Sequence, residues 1–162
     1  YLENGKPYKK YSSKKELGRF DALRVSSVEL IVSKKFILKS GIRFNTSLGL
    51  GSKYPSTEEN IFYLDVFDNG GTISHIPEYV LMHCYINRKN IHFKDPNILF
   101  AKGIFCKRYG GLTGIFILLY YFIKSLLISR KIKISFNLFF GYKNAGEIFE
   151  NVWTRINYHT DV

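Results

Sequence analysis

Hydrophobic patterns typical of strands and patterns typical of helices alternate along the first half of this 162-residue chain. Residues 1–19 are polar and lysine-rich, which indicates a loop. The β-branched, apolar stretch at 24–32 predicts a buried strand. Ser33 then suits the N-cap of a short helix at 34–40, which Gly41 ends.

A second helix is predicted at the acidic pair Glu58-Glu59. Ser56 and Glu59 fit a capping box, and the apolar stripe that follows runs to about Asp68. Residues 72–83 predict a strand with an interruption at Pro77, because proline lacks the N–H that a sheet requires. Together with the strand at 24–32, this order of elements predicts an α/β fold.

The last third of the chain is predicted to be helical. Asp95 and Pro96 form an N-cap and N1 pair, and the helix they start extends to about Arg108. The uninterrupted apolar run at 114–123 that follows is too short to span a bilayer. Basic residues come directly after it: Lys124, Arg130, Lys131 and Lys133. This pattern suits a helix lying on an anionic membrane, and equally a core helix.

Composition and charge narrow the class of protein. Hydrophobic residues make up 46% and aromatic residues 17% of the chain, which indicates an ordered domain. A net charge of +11 favours anionic partners. The basic residues are scattered among apolar helices and no nucleic-acid motif is present, so no nucleic-acid partner is expected. Cys84 and Cys106 form neither a disulfide framework nor a metal motif, which indicates reduced cytosolic thiols.

The acidic pair is the main candidate for chemistry. Glu59 could serve only as a helix cap, or its carboxylate could accept a proton from a hydroxyl group. A helix N-terminus lowers the pKa of a carboxyl group and would weaken it as a base. The loop at 42–55 contains Gly49 and Gly51, which would let the backbone approach a ligand closely.

The order of these elements resembles a known family. The acidic pair at a helix start is followed at 71–83 by the letters GTISHIPEYVLMH, which end in His83. Over roughly residues 20–90 the chain resembles the C-terminal half of the catalytic domain of family 2 glycosyltransferases, of the GT-A type. The resemblance implies that residues 1–93 are the acceptor-side part of a Rossmann-like GT-A sheet. Residues 94–162 would be a helical tail, with membrane association as one of its two alternatives.

The resemblance also implies an activity. Such an enzyme transfers a sugar with inversion from a nucleotide-sugar donor to a glycan or lipid-linked acceptor. It would work peripherally at the inner, cytoplasmic face of the cytoplasmic membrane, in the biosynthesis of cell wall, capsule or lipopolysaccharide. The rivals are a non-catalytic membrane-surface binding module and a silent transferase remnant.

Residue roles follow from the family pattern. Glu59 would be the base beside Glu58, although the family usually has Asp at the second position, one methylene shorter. His83 would help hold a divalent metal, Mn²⁺ or Mg²⁺, at the donor diphosphate. The expected donor- and acceptor-binding residues are Ser26, Ser27, Glu29, Gly49, Gly51 and Lys53. The family's Asp-x-Asp motif is absent, and the chain begins with Tyr1. A fragment that is inactive by itself is therefore expected.

Overall fold

The computed structural model describes residues 16–76, Glu78, Met82 and 91–157. The α-helices of this described part are α1 (Lys34–Ser40), α2 (Glu58–Asp68), α3 (Pro96–Tyr109), α4 (Gly111–Ser129), α5 (Ile132–Ser135) and α6 (Asn137–Asn157). Shorter 3-10 turns cover Arg19–Leu23, Ser27–Glu29 and Ile91–Phe93.

The predicted α/β fold is wrong. Within the described residues the chain is helical and contains no strand, only isolated bridges between Glu16 and Ser74 and between Leu48 and Tyr54. A strand needs a neighbouring strand for its backbone hydrogen bonds, and the described part offers none. The apolar and β-branched composition therefore did not produce a sheet here.

The two predicted strands have different outcomes. At 24–32 the chain forms the 3-10 turn Ser27–Glu29, because the Ser26 N–H donates to the Glu29 carboxylate over 3.0 Å. This local bond gives the backbone an alternative to a sheet. The strand at 72–83 is described continuously only to residue 76, where Ser74 forms the single bridge to Glu16. Pro77 and most of the remainder lie outside the described residues.

Two helix starts are confirmed in detail. The Ser33 hydroxyl accepts the Phe36 N–H over 3.4 Å, and α1 ends at Gly41, whose φ is +68°. The Asp95 carboxylate accepts the N–H groups of Asn97 and Ile98 over 2.8 and 3.2 Å. In both cases a side chain satisfies N–H groups that a helix start leaves unpaired.

The start of α2 differs from the predicted capping box. The helix begins at Glu58, so Thr57 is the N-cap and Glu59 is the second helical residue. Thr57 has φ +71°, which is uncommon for a residue other than glycine. Its hydroxyl does not cap the helix but donates to the Ala101 carbonyl of α3 over 3.2 Å. The predicted capping box between Ser56 and Glu59 is wrong, because Ser56 lies one residue before the N-cap.

The α3 helix lies at the centre of the main hydrophobic core, packed on α2, α4 and α6. Its Leu99 and Ile104 are fully buried, together with Leu64 of α2 and Leu138 of α6. This core has residues on both sides of the predicted boundary between 93 and 94. The division into a catalytic part and a tail stays a prediction.

An ion-pair network fixes α2 against α3. Arg108 donates to Asp65 over 2.6 and 2.9 Å and to Asp68 over 2.8 Å. Arg19, from the first 3-10 turn, also binds Asp68 and donates to the Tyr109 carbonyl over 2.9 Å. Partial burial of these side chains makes the network more than an ordinary surface pair. It ties the last turn of α2 to the last turn of α3.

Candidate functional site

The loop before α2 is closed by its own backbone. The Gly49 N–H donates to the Tyr54 carbonyl over 2.9 Å, and the Ser52 N–H donates to the Gly49 carbonyl over 3.0 Å. Gly49 and Gly51 have φ values of +95° and +87°, a region that favours glycine. The glycines that the sequence singled out are therefore required by the turn itself.

Two contacts anchor this loop to α3. The Tyr54 ring stacks on the Phe100 ring with centroids 4.3 Å apart and planes within 10°. The Thr57 hydroxyl, three residues further along the chain, donates to the Ala101 carbonyl. The loop is thus held on the same helix that α2 packs against, so its position relative to the acidic pair is fixed.

Glu58 lies directly against this loop. A Cβ atom built on Gly49 would be 2.6 Å from the Glu58 Cδ and 2.7 Å from its Oε1. The Oε2 atoms of Glu58 and Glu59 are both buried and have no hydrogen-bond partner among the described residues. The two residues nonetheless keep part of their surface exposed. The site is a pair of half-buried glutamates beneath a glycine loop.

The pKa of Glu59 is raised to about 7. Burial is the largest cause, because it disfavours the charged form. The negative charge of Glu58 and a hydrogen bond with its carboxyl raise the pKa further, whereas a backbone hydrogen bond and Lys102 lower it. Near neutral pH this carboxyl group exists in both protonation states. Burial therefore reverses the lowering expected at a helix N-terminus.

Lys102 of α3 is the cation that acts on this pair. Its ammonium nitrogen lies 4.9 Å from the centroid of the Tyr121 ring and 5.5 Å from that of Phe93. Burial lowers the pKa of Lys102, while Cys106 and Glu59 act in the opposite direction. A half-buried lysine that is shielded by aromatic rings and lies near a half-buried glutamate is an arrangement common at functional sites.

Only some of the predicted site residues come together. Glu58, Glu59 and Gly49 form the site, and Gly51 and Lys53 lie at the tip of the same loop. The Lys53 ammonium is 5.4 Å from the Tyr54 ring centroid. Ser26, Ser27 and Glu29 form their own 3-10 turn, in which Glu29 caps the Ser26 N–H. They do not line a strand bordering a cleft.

His83, the predicted metal ligand, lies outside the described residues. Across 16–76 and 91–149 no group of three or more His, Cys, Asp or Glu side chains could hold a metal ion. The acidic pair supplies two carboxyl groups but has Lys102 close by, whose positive charge opposes a divalent cation at the same place. The divalent-metal cofactor stays a prediction.

Lys102 is the residue that the sequence interpretation missed. It stands alone among apolar residues in the stretch ILFAKGIFC at 98–106. A single lysine within such a stretch is buried only with compensation, so the pattern already signalled an unusual environment. The pattern did not reveal that Glu59 is the partner of Lys102, because Glu59 is 43 positions away in sequence.

The chain has no match among protein-family models, curated proteins or solved structures.

Proposed function

We propose that this chain carries the acceptor-side catalytic part of a glycosyltransferase. It would act with a nucleotide-sugar donor and a glycan or lipid-linked acceptor, with Glu59 as the general base. The single observation that carries the proposal is the position of Glu59, a half-buried residue beside Glu58 and the Gly49 loop, where burial raises the pKa of its carboxyl to about 7. The proposal rests on this site and on the order of motifs at 47–83, and not on a sheet.

A carboxyl group with this pKa suits the chemistry of sugar transfer. The acceptor hydroxyl must lose its proton as its oxygen attacks the anomeric carbon, and a base works best with a pKa near the working pH. An ordinary glutamate would be ionised but weakly basic. Glu58 contributes by raising the pKa of Glu59.

Turnover of the full-length polypeptide tests the proposal. Glu59→Gln keeps the size of the side chain but removes the base, so the rate of sugar transfer should fall roughly a hundredfold or more. Donor binding should stay within about twofold, since the base does not contact the donor's leaving group. The matched control is Glu147→Gln, an exposed acid on α6, which should leave both quantities unchanged.

The pH profile adds a second readout. Transfer should decline as the pH falls below about 7, because protonated Glu59 cannot accept a proton. If Glu59→Gln retains its turnover within a few-fold, Glu59 has only a structural role and the proposal is wrong. If the full-length polypeptide transfers no sugar while still binding membranes, the non-catalytic surface module takes its place.

A further inference from the structure

Helix α4 presents one continuous apolar face to solvent. The exposed side chains recur every three or four residues, which places them on one side of the helix. We call this set the apolar stripe: Leu112, Phe116, Leu119, Tyr120, Ile123 and Leu127. Leu112 and Leu127 are 74% and 73% exposed, and Phe116 is 68% exposed. A contiguous apolar surface of this kind marks an interaction site.

The opposite face of α4 is fixed to the protein. Gly114 approaches the Cys106 carbonyl so closely that a side chain would collide with it. Ser125 is fully buried, where its hydroxyl bonds to the Ser135 hydroxyl over 2.9 Å and to the Phe93 carbonyl over 3.2 Å. The helix therefore offers a partner only the apolar stripe.

The apolar surface continues onto the next two helices. Ile132, Phe136 and Phe140 are exposed and follow one another at intervals of four. The ring of Phe122 on α4 meets the Phe136 ring edge-on, with centroids 5.6 Å apart. This contact connects α4 to the exposed residues of α5 and α6.

Charge separates this part of the chain from the rest. Residues 96–146 contain eight lysines and arginines and no aspartate or glutamate, so all thirteen acidic residues lie elsewhere. Three of the basic residues, Arg130, Lys131 and Lys133, are exposed in the segment that joins α4 to α5 and α6. The apolar stripe is thus bordered by positive charge without any compensating acid in that part of the chain.

We infer that the apolar stripe rests on an anionic lipid bilayer, with α4 in the plane of the membrane. By length and composition α4 is sufficient to cross a membrane, and the uninterrupted run at 114–123 is only part of it. Its packed face argues for lying on the bilayer instead. A second copy of the chain would bring two strongly positive surfaces together, and a soluble polyanion would leave the apolar stripe in water. An anionic membrane satisfies both features.

Co-sedimentation of the full chain with lipid vesicles tests the apolar contribution. Replacing Leu112, Phe116 and Leu127 by Asn should lower partitioning into phosphatidylglycerol–phosphatidylcholine vesicles about tenfold or more. The matched control replaces Ile31, Leu38 and Leu50 by Asn, because these residues are 75%, 74% and 83% exposed but lie far from α4 in sequence. It should bind like the wild type.

The charged contribution is tested in the same assay. We expect binding to anionic vesicles at low salt to fall about tenfold or more when three basic residues are changed to Gln: Arg130, Lys131 and Lys133. The difference should shrink as salt is added, because salt screens surface charge. The control changes three lysines of α1 to Gln, because they are also exposed: Lys34, Lys35 and Lys39. Vesicles of phosphatidylcholine alone should bind the wild type more weakly.

Two results would overturn the inference. One is a stripe variant that binds vesicles like the wild type. The other is a wild type that prefers single-stranded RNA to the vesicles, with an affinity that the stripe variant retains. Thermal unfolding shows whether the triple variant is folded. If the triple variant is unfolded, the single substitutions at Leu112, Phe116 and Leu127 are tested instead. Each should lower vesicle binding several-fold. The inference is independent of the proposed sugar transfer, since Glu59 takes no part in it.

Discussion

The Glu58 carboxyl group occupies the space that a side chain at Gly49 would fill, with the Glu58 Cδ only 2.6 Å from an ideal Cβ at that position. Glycine is therefore required at position 49 for two reasons: its φ is +95°, and Glu58 leaves no space for a side chain there. Because Glu58 in turn raises the pKa of Glu59, the loop and the base are coupled through one contact.

Gly49→Ala tests this coupling against a close control. We expect it to destabilise the fold by about 1–3 kcal/mol, from backbone strain and displacement of Glu58, and to lower the pKa of Glu59. Gly51→Ala carries similar strain at φ +87°, but nothing lies within 4 Å of its added Cβ. It should lose stability without moving the Glu59 titration, as followed by carboxyl NMR. Equal effects on that titration from both variants would contradict the coupling.

Burial of Glu59 should make stability depend on pH. Its pKa is raised in the fold from 4.5 to about 7, so the folded state binds more protons than the unfolded state between those values. Stability from this group is full below about pH 4.5 and is lost as the pH rises through about 7. The loss should be on the order of 1 kcal/mol, since partial exposure screens the charge.

Glu59→Gln should remove that loss and stabilise the protein at pH 8 relative to the wild type. Urea unfolding at pH 4.5 and pH 8 measures the difference. Glu147→Gln, on the exposed surface of α6, should keep the wild-type dependence. A wild type whose stability is unchanged or increases over this range would show that Glu59 is not buried as described.

Lys102→Met should shift the titration of Glu59 upward. The lysine charge lowers the pKa of that carboxyl, so removing the charge removes an opposing influence. Methionine is apolar and of similar length, so the change removes the charge while keeping most of the packing. Lys107→Met is the control, because Lys107 lies exposed on the same helix above the Tyr142 ring. If the pKa of Glu59 is unchanged in Lys102→Met, the charge of Lys102 does not act on Glu59.

The crossing of α3 and α6 depends on glycine. A side chain at Gly141 would collide with the Phe100 carbonyl oxygen of α3. Gly141→Ala should therefore destabilise the protein by about 2–4 kcal/mol, since backbone cannot yield as a side chain would. Gly146→Ala on the same helix meets nothing within 4 Å and should stabilise it by about 0.5–1 kcal/mol through helix propensity. Thermal unfolding gives both values, and a neutral Gly141→Ala would refute the close crossing.

The sequence predicted helix ends correctly where the capping residues alone determine them. Ser33 and Gly41 bound α1, and Asp95 and Pro96 start α3, as the sequence predicted. Each of these signals acts within about four residues, so no distant partner is needed. The residues alone left the acidic pair open between a helix cap and a base, and the resemblance to family 2 glycosyltransferases favoured a site.

Tertiary structure decided the features that need a distant partner. The stretch at 24–32 had strand composition, but a strand requires another strand, and the described chain closes it locally into a turn. The predicted Ser56–Glu59 capping box is absent, because Thr57 is the N-cap and its hydroxyl donates to the Ala101 carbonyl instead of capping. The pKa of Glu59 was set by burial against α3, which a sequence pattern cannot reveal. Propensity and caps are properties of neighbouring residues, whereas desolvation and sheet pairing depend on what the rest of the chain brings close.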